Sequence, residues 1–250
     1  MPVAVSAIET IGITMTAMFG FLFADYWWFA IPGMLLGFYA QIKLSSTYKK
    51  YSQVGTLSRI TGAEAAREIL DRAGLRDMPV SEVQGHLTDH YDPTRRQLCL
   101  SSENYHSTSL AAVGVAAHEA GHALQHKAAY APLHFRMFMV PATQFASMAW
   151  MGILVLGMII PKFFPMAIGL AIAIFSIITL FQLVTLPVEF DASRRAKEQL
   201  SKLGLIQQSE APGVSAVLSA AAMTYVAGLV ASVLQLLQLL MLARGGRERD

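Results

Sequence analysis

Three stretches of the chain contain no charged residue: 137–161, 163–188 and 211–243. Each supplies the roughly 20 apolar positions that a helix needs to cross a bilayer core. A shorter uncharged stretch, 26–42, reads as a further span, and because Asp25 and Glu9 interrupt the residues before it, one or two spans are expected there. The pattern changes between residues 43 and 136, which carry most of the charge and all seven histidines. Thr61-Gly62-Ala63-Glu64 has the form of a capping box, Ala65, Ala66, Ile69 and Leu70 follow at helical spacing, and Gly74 closes the element. Residues 80–83 read as a strand; after the Asp92-Pro93-Thr94 turn signal, residues 97–100 read as a second strand that pairs back as a hairpin.

The expected architecture is a mainly α integral membrane protein with four or five transmembrane helices and a small α+β domain. Its parts are an N-terminal anchor (1–42), the folded α+β segment (43–136), a transmembrane hairpin (137–188), an amphipathic helix (189–210), a C-terminal apolar helix (211–243) and a basic tail (244–250). Composition agrees: hydrophobic residues make up 54% of 250 and charged residues only 14%. No basic region precedes the first apolar stretch, so the N-terminus is expected to stay as an anchor. Trp27, Trp28 and Tyr26 stand where aromatic rings favour the headgroup interface. The single cysteine, Cys99, rules out an internal disulfide and a cysteine-built zinc site, and a net charge of +2 makes no case for nucleic acid.

Within the polar segment, His118-Glu119-Ala120-Gly121-His122 carries the chemistry. On a helix the two histidines are i and i+4, on one face, and can share one Zn²⁺ while Glu119 stands beside it as a base. Such a match arises by chance in about 1% of chains this long, so its context has to support it. It does: residues 110–125 contain no proline and are dominated by small and apolar residues, and Ser107 or Thr108 can cap the helix. Gly121 costs about 1 kcal/mol of helix propensity, which a close neighbouring backbone would explain.

A catalytic zinc site needs a third protein ligand. His126 lies one turn further on, but three histidines at successive i+4 positions span about 12 Å of axis and cannot converge. His86, His90, His106 and His134 are candidates by type only. Glu189 is stronger, because a carboxylate at the end of an apolar run is costly without a partner. Pro187 is expected to end or kink the membrane helix, leaving an amphipathic helix after it that Gly204 closes. The loop 161–165 makes the two preceding spans a hairpin, which returns Glu189 to the side of His122.

Three segments resemble the YugP-type neutral zinc metallopeptidases of bacterial membranes, related in plan to the HtpX and CAAX-prenyl-protease class. They are Gly85-His86-Leu87-Thr88-Asp89-His90-Tyr91-Asp92-Pro93, residues 114–123 around the histidine pair, and Leu183-Val184-Thr185-Leu186-Pro187-Val188-Glu189-Phe190. The resemblance implies a gluzincin-like catalytic domain, with one Zn²⁺ per chain held by His118, His122 and Glu189 and with Glu119 as catalytic base. The wider class has an aspartate four residues after the ligand glutamate to orient a zinc-bound histidine; here that position is Ser193, with Asp191 as a substitute. The first forty residues are poorly covered.

The reaction expected is hydrolysis of peptide bonds in extended or unfolded polypeptides by zinc-activated water, that is, a zinc metalloendopeptidase. Candidates for a further donor to the oxyanion include His90, Tyr91, His106 and Arg194, among which spacing does not choose. Gln97, Leu98, Cys99 and Leu100 are the expected edge strand for substrate. Lys43, Lys49, Lys50, Lys127, Arg136, Arg194, Arg195, Lys197 and Lys202 flank the domain side against Lys162 in the hairpin, which favours a plasma-membrane protein with a cytoplasmic catalytic domain. The final apolar run, about 50 Å as one helix, exceeds a bilayer core, so part of it can pack on the domain. Two other readings are a protease with zinc inside the bilayer, which lacks the acidic ligand it needs in the later spans, and a non-catalytic scaffold derived from a peptidase.

Overall fold

The computed structural model describes residues 26–247. After a 3-10 turn at Trp27–Phe29 come α1 (Ala30–Tyr51), α2 (Gly62–Arg72), β1 (Val80–Val83), β2 (His90–Asp92), β3 (Gln97–Ser101), α3 (Ser102–His106), α4 (Leu110–Lys127), α5 (Ala131–Ile159), α6 (Phe164–Lys202) and α7 (Ala211–Arg247). They divide into two compact units. One contains Ala40–His134 and Pro187–Met223; the other contains Phe135–Leu186 with residues 26–39 and 224–247.

The first unit is built around α4. Ser109, rather than Ser107 or Thr108, is its cap: the Ser109 hydroxyl accepts from Ala112 N–H at 3.2 Å, and Ser107 instead donates to Ser109 Oγ at 3.0 Å. The helix is buried along most of its length, with Val113, Ala116, Ala117 and Ala120 packed among Ile69 and Leu70 of α2, Leu98 and Leu100 of β3, Leu200 of α6 and Val214 and Leu218 of α7. Burial of this kind is the main favourable term in the fold, about 1.5–3 kcal/mol for each fully buried large side chain. α2 begins with the expected box: Thr61 Oγ1 accepts from Glu64 N–H at 3.2 Å while Thr61 N–H donates to Glu64 Oε2 at 2.8 Å.

The sheet has the order β1-β3-β2. β1 lies parallel to β3, Ser81 opposite Cys99, and the hairpin is made by β2 with β3, Tyr91 opposite Leu98. Thus the expected hairpin between 80–83 and 97–100 is corrected. β3 pairs on both sides, so Gln97, Leu98, Cys99 and Leu100 form the central strand and cannot add a substrate strand; β1 and β2 hold the edges. β2 escaped the sequence reading because it is three residues long and follows a turn-rich run.

Two further expectations change. Pro187 does not end a helix: α6 runs through it to Lys202, and Gly204 follows at φ +66°. Proline inside a helix removes one hydrogen bond and crowds the carbonyl four residues back, at about 3 kcal/mol; here the helix continues with Thr185, Val188 and Glu189 buried on either side of it. Among the described residues, three helices are long and apolar enough to cross a membrane, in Ala131–Gly157, Phe164–Lys202 and Ala211–Arg244. α1 does not meet that measure, because its second half carries Gln41, Lys43, Ser45, Ser46, Lys49 and Lys50. The first 25 residues of the expected anchor lie outside the described ones. The final run does divide as anticipated, its early turns placing Val214 and Leu218 in the first unit's core. In the second unit, Trp150, Ile168, Ala171, Phe175 and Leu239 form a separate apolar cluster.

Candidate metal centre

The turn of α4 carrying the histidine pair lies against residues 188–193 of α6. Gly121 permits the contact: a Cβ built on it would stand 2.5 Å from the Ala192 carbonyl oxygen. The close backbone expected from the sequence is therefore Ala192.

This approach brings His118, His122 and Glu189 together, one ligand atom from each lying within 4.8 Å of the others. Glu189 Oε2 is 3.1 Å from His118 Nε2 and 3.7 Å from His122 Nε2. A tetrahedral zinc ion with bonds of about 2.0–2.1 Å holds neighbouring donor atoms about 3.3 Å apart, so the set fits Zn²⁺ in both donor type and spacing. Glu189 is 2% exposed. A carboxylate so far from water is costly unless positive charge stands beside it, which a divalent cation held by these residues would supply.

Each ring is also held from behind. Ser193 Oγ lies 3.1 Å from His118 Nδ1, and Gln125 Oε1 lies 3.0 Å from His122 Nδ1. Glu189 and Ser193 are i and i+4 on α6, so one helix face meets both nitrogens of His118. Asp191 accepts from Gln125 Nε2 at 3.0 Å, from Arg195 Nε at 2.5 Å and from Arg194. Gln125 went unnoticed in the sequence, although its place three residues after His122 is a spacing at which helix side chains meet.

Glu119, 8% exposed, accepts the backbone N–H of Tyr91 at Oε2 over 2.9 Å. Burial pushes its carboxyl up to about 7; the nearby His118 opposes this, the charges of Glu189 and Asp89 add to it, and the Tyr91 N–H works against it. A cation among His118, His122 and Glu189 would lower it again.

The remaining candidates have other partners. Arg194 pairs with Asp191 and, at 2.7 Å, with Glu198. His90 directs Nδ1 to the Thr88 carbonyl at 2.8 Å, His106 Nε2 stands 3.2 Å from Glu82, and His86 Nδ1 2.8 Å from Glu103. His126 meets the Tyr91 hydroxyl at 2.7 Å, and burial, with His134 and Arg96 nearby, holds its imidazole below the usual histidine range. The tautomer of His126 sets which of the two donates. His134 packs its ring edge-on to that of His126, with centroids 5.4 Å apart.

The profile of a family described as "Putative neutral zinc metallopeptidase" matches residues 26–244. The chain belongs to that family. It is 46% identical over 224 residues to the "Putative membrane protease YugP" of Bacillus subtilis (strain 168), an alignment covering 88% of this chain and 97% of the relative. No solved structure matches the chain.

Proposed function

We propose that the protein is an integral-membrane zinc endopeptidase that cleaves extended or locally unfolded polypeptides. The observation that carries this reading is the convergence of His118, His122 and Glu189 beside a buried Glu119. When bound, Zn²⁺ supplies a Lewis acid that polarises the scissile carbonyl and makes water a nucleophile near neutral pH. Glu119 takes the proton from the attacking water and delivers it to the departing amine. The Tyr91 N–H holds one carboxylate oxygen of Glu119 and so limits its rotation. His118, His122 and Glu189, presented by two helices, would hold the ion as its three protein ligands.

The strand beside Glu119 is β2, an edge of the sheet. An extended peptide that reaches Glu119 would pass this edge, where the Tyr91 N–H is already given to the carboxylate. Three helices of membrane-spanning length and the basic residues flanking the catalytic unit support a plasma-membrane protein with that unit in the cytoplasm.

The test is cleavage of a casein-type unfolded substrate by detergent-purified protein, together with metal analysis. Glu119→Gln is expected to lose about 100-fold or more in rate while keeping zinc, and Glu189→Ala to lose both. Wild-type rates in either variant would overturn the reading.

A further inference from the structure

Gln125 has no exposed surface, and its two ends face different chemistries. Nε2 stands 2.7 Å from the Val188 carbonyl oxygen and 3.0 Å from Asp191 Oδ2. Both are acceptors, the carbonyl necessarily and the carboxylate because the guanidinium groups of Arg194 and Arg195 hold it ionised. The amide nitrogen has to face them, and the opposite flip would set oxygen against two oxygens. Oε1 then faces His122 Nδ1 at 3.0 Å and can only accept. His122 must carry a proton on Nδ1, which leaves Nε2, 3.7 Å from Glu189 Oε2, as the nitrogen available to a metal.

We propose that Gln125 is a positioning residue that sets the tautomer and ring orientation of His122 for metal binding, and that Asp191 acts on the site through it. The chain of contacts runs Arg194 and Arg195 to Asp191, Asp191 to Gln125, and Gln125 to His122. His118 is held differently. The Ser193 hydroxyl can donate or accept, so it steadies the ring without dictating which nitrogen is protonated.

This inference rests on the zinc reading, and its test separates the two. The full-length protein, zinc-free in detergent and labelled with 15N-histidine, is expected to show His122 protonated at Nδ1; a ring protonated at Nε2 with Nδ1 bare would overturn the proposal. That measurement needs no substitution in Gln125. Zinc affinity is then measured by competition with a chromophoric chelator. Gln125→Leu is expected to weaken Kd about 10–100-fold, the range found when the residue behind a metal-binding histidine is lost. Asp191→Ala, which leaves Gln125 its bond to Val188, is expected to weaken it less. A folded Gln125→Leu protein that binds zinc as tightly as wild type overturns the assignment, and if that variant does not fold, the tautomer of the unaltered protein decides. Unaltered protein that binds no zinc at all would defeat the zinc reading instead.

Discussion

The backbone N–H of Tyr91 donates to Glu119 Oε2 at 2.9 Å, tying an edge of the sheet to the helix that carries both histidines. The strand bearing Tyr91 is fixed in turn by Asp89, 4% exposed, whose carboxylate accepts from Ser101 N–H at 2.8 Å, from the Ser101 hydroxyl and from Asn104 Nδ2 at 2.8 Å. Tyr48 of α1 completes the chain by donating to Asn104 Oδ1 at 2.8 Å.

Asp89→Ala leaves these donors without their charged partner. It is expected to cost about 3 kcal/mol in chemical denaturation and to reduce cleavage by more than the lost folded fraction, because Tyr91 is no longer held against Glu119. Asp89→Asn, which retains one acceptor oxygen, is expected to lose less on both measures.

Gly121→Ala adds helix propensity, yet its Cβ would meet the Ala192 carbonyl oxygen at 2.5 Å. Backbone cannot rotate away as a side chain can. The expected result is a loss of about 2 kcal/mol in stability and weaker zinc binding as α4 and α6 are pushed apart. Unchanged melting and zinc content would show that the two helices are not in close contact.

Ser193→Ala removes the hydroxyl beside His118 Nδ1 without changing backbone preferences much. Zinc Kd should weaken about tenfold with little change in melting temperature. Combined with Gln125→Leu, the loss should depart from the product of the two, since both histidines face the same Glu189 oxygen and would share one ion.

The capping box predicts a pH dependence. The Thr61 N–H and hydroxyl hold the Glu64 carboxyl below its ordinary value of 4.5, opposed by a small effect of burial. A depressed folded-state pKa stabilises the protein above the unfolded value and is lost as pH falls through the folded one. The destabilisation of Glu64→Ala should therefore be present at neutral pH and shrink below about pH 4.5. Thr61→Ala should cost about 1 kcal/mol at neutral pH, read by thermal unfolding in detergent.

Much of the site was legible in the sequence because its information is local. The i, i+4 spacing of His118 and His122, the cost of Gly121 within a helix, the box at Thr61 and Glu64, and a carboxylate stranded at the end of an apolar run each follow from helix geometry or from the price of burying charge. What local periodicity does not contain is which strand lies between the others. A three-residue strand such as β2 has too few positions to show alternation, so the central place of β3 emerged only when Tyr91 was seen opposite Leu98 and Ser81 opposite Cys99. The sequence by itself determined the long apolar helices, the strands at 80–83 and 97–100, the ligand types and the helix that presents the histidines. Tertiary structure alone decided that Pro187 stays inside a continuous helix, that Ser193 meets His118, and that Gln125 stands between Asp191 and His122, because those outcomes depend on how two helices more than sixty residues apart press their backbones together at Gly121 and Ala192.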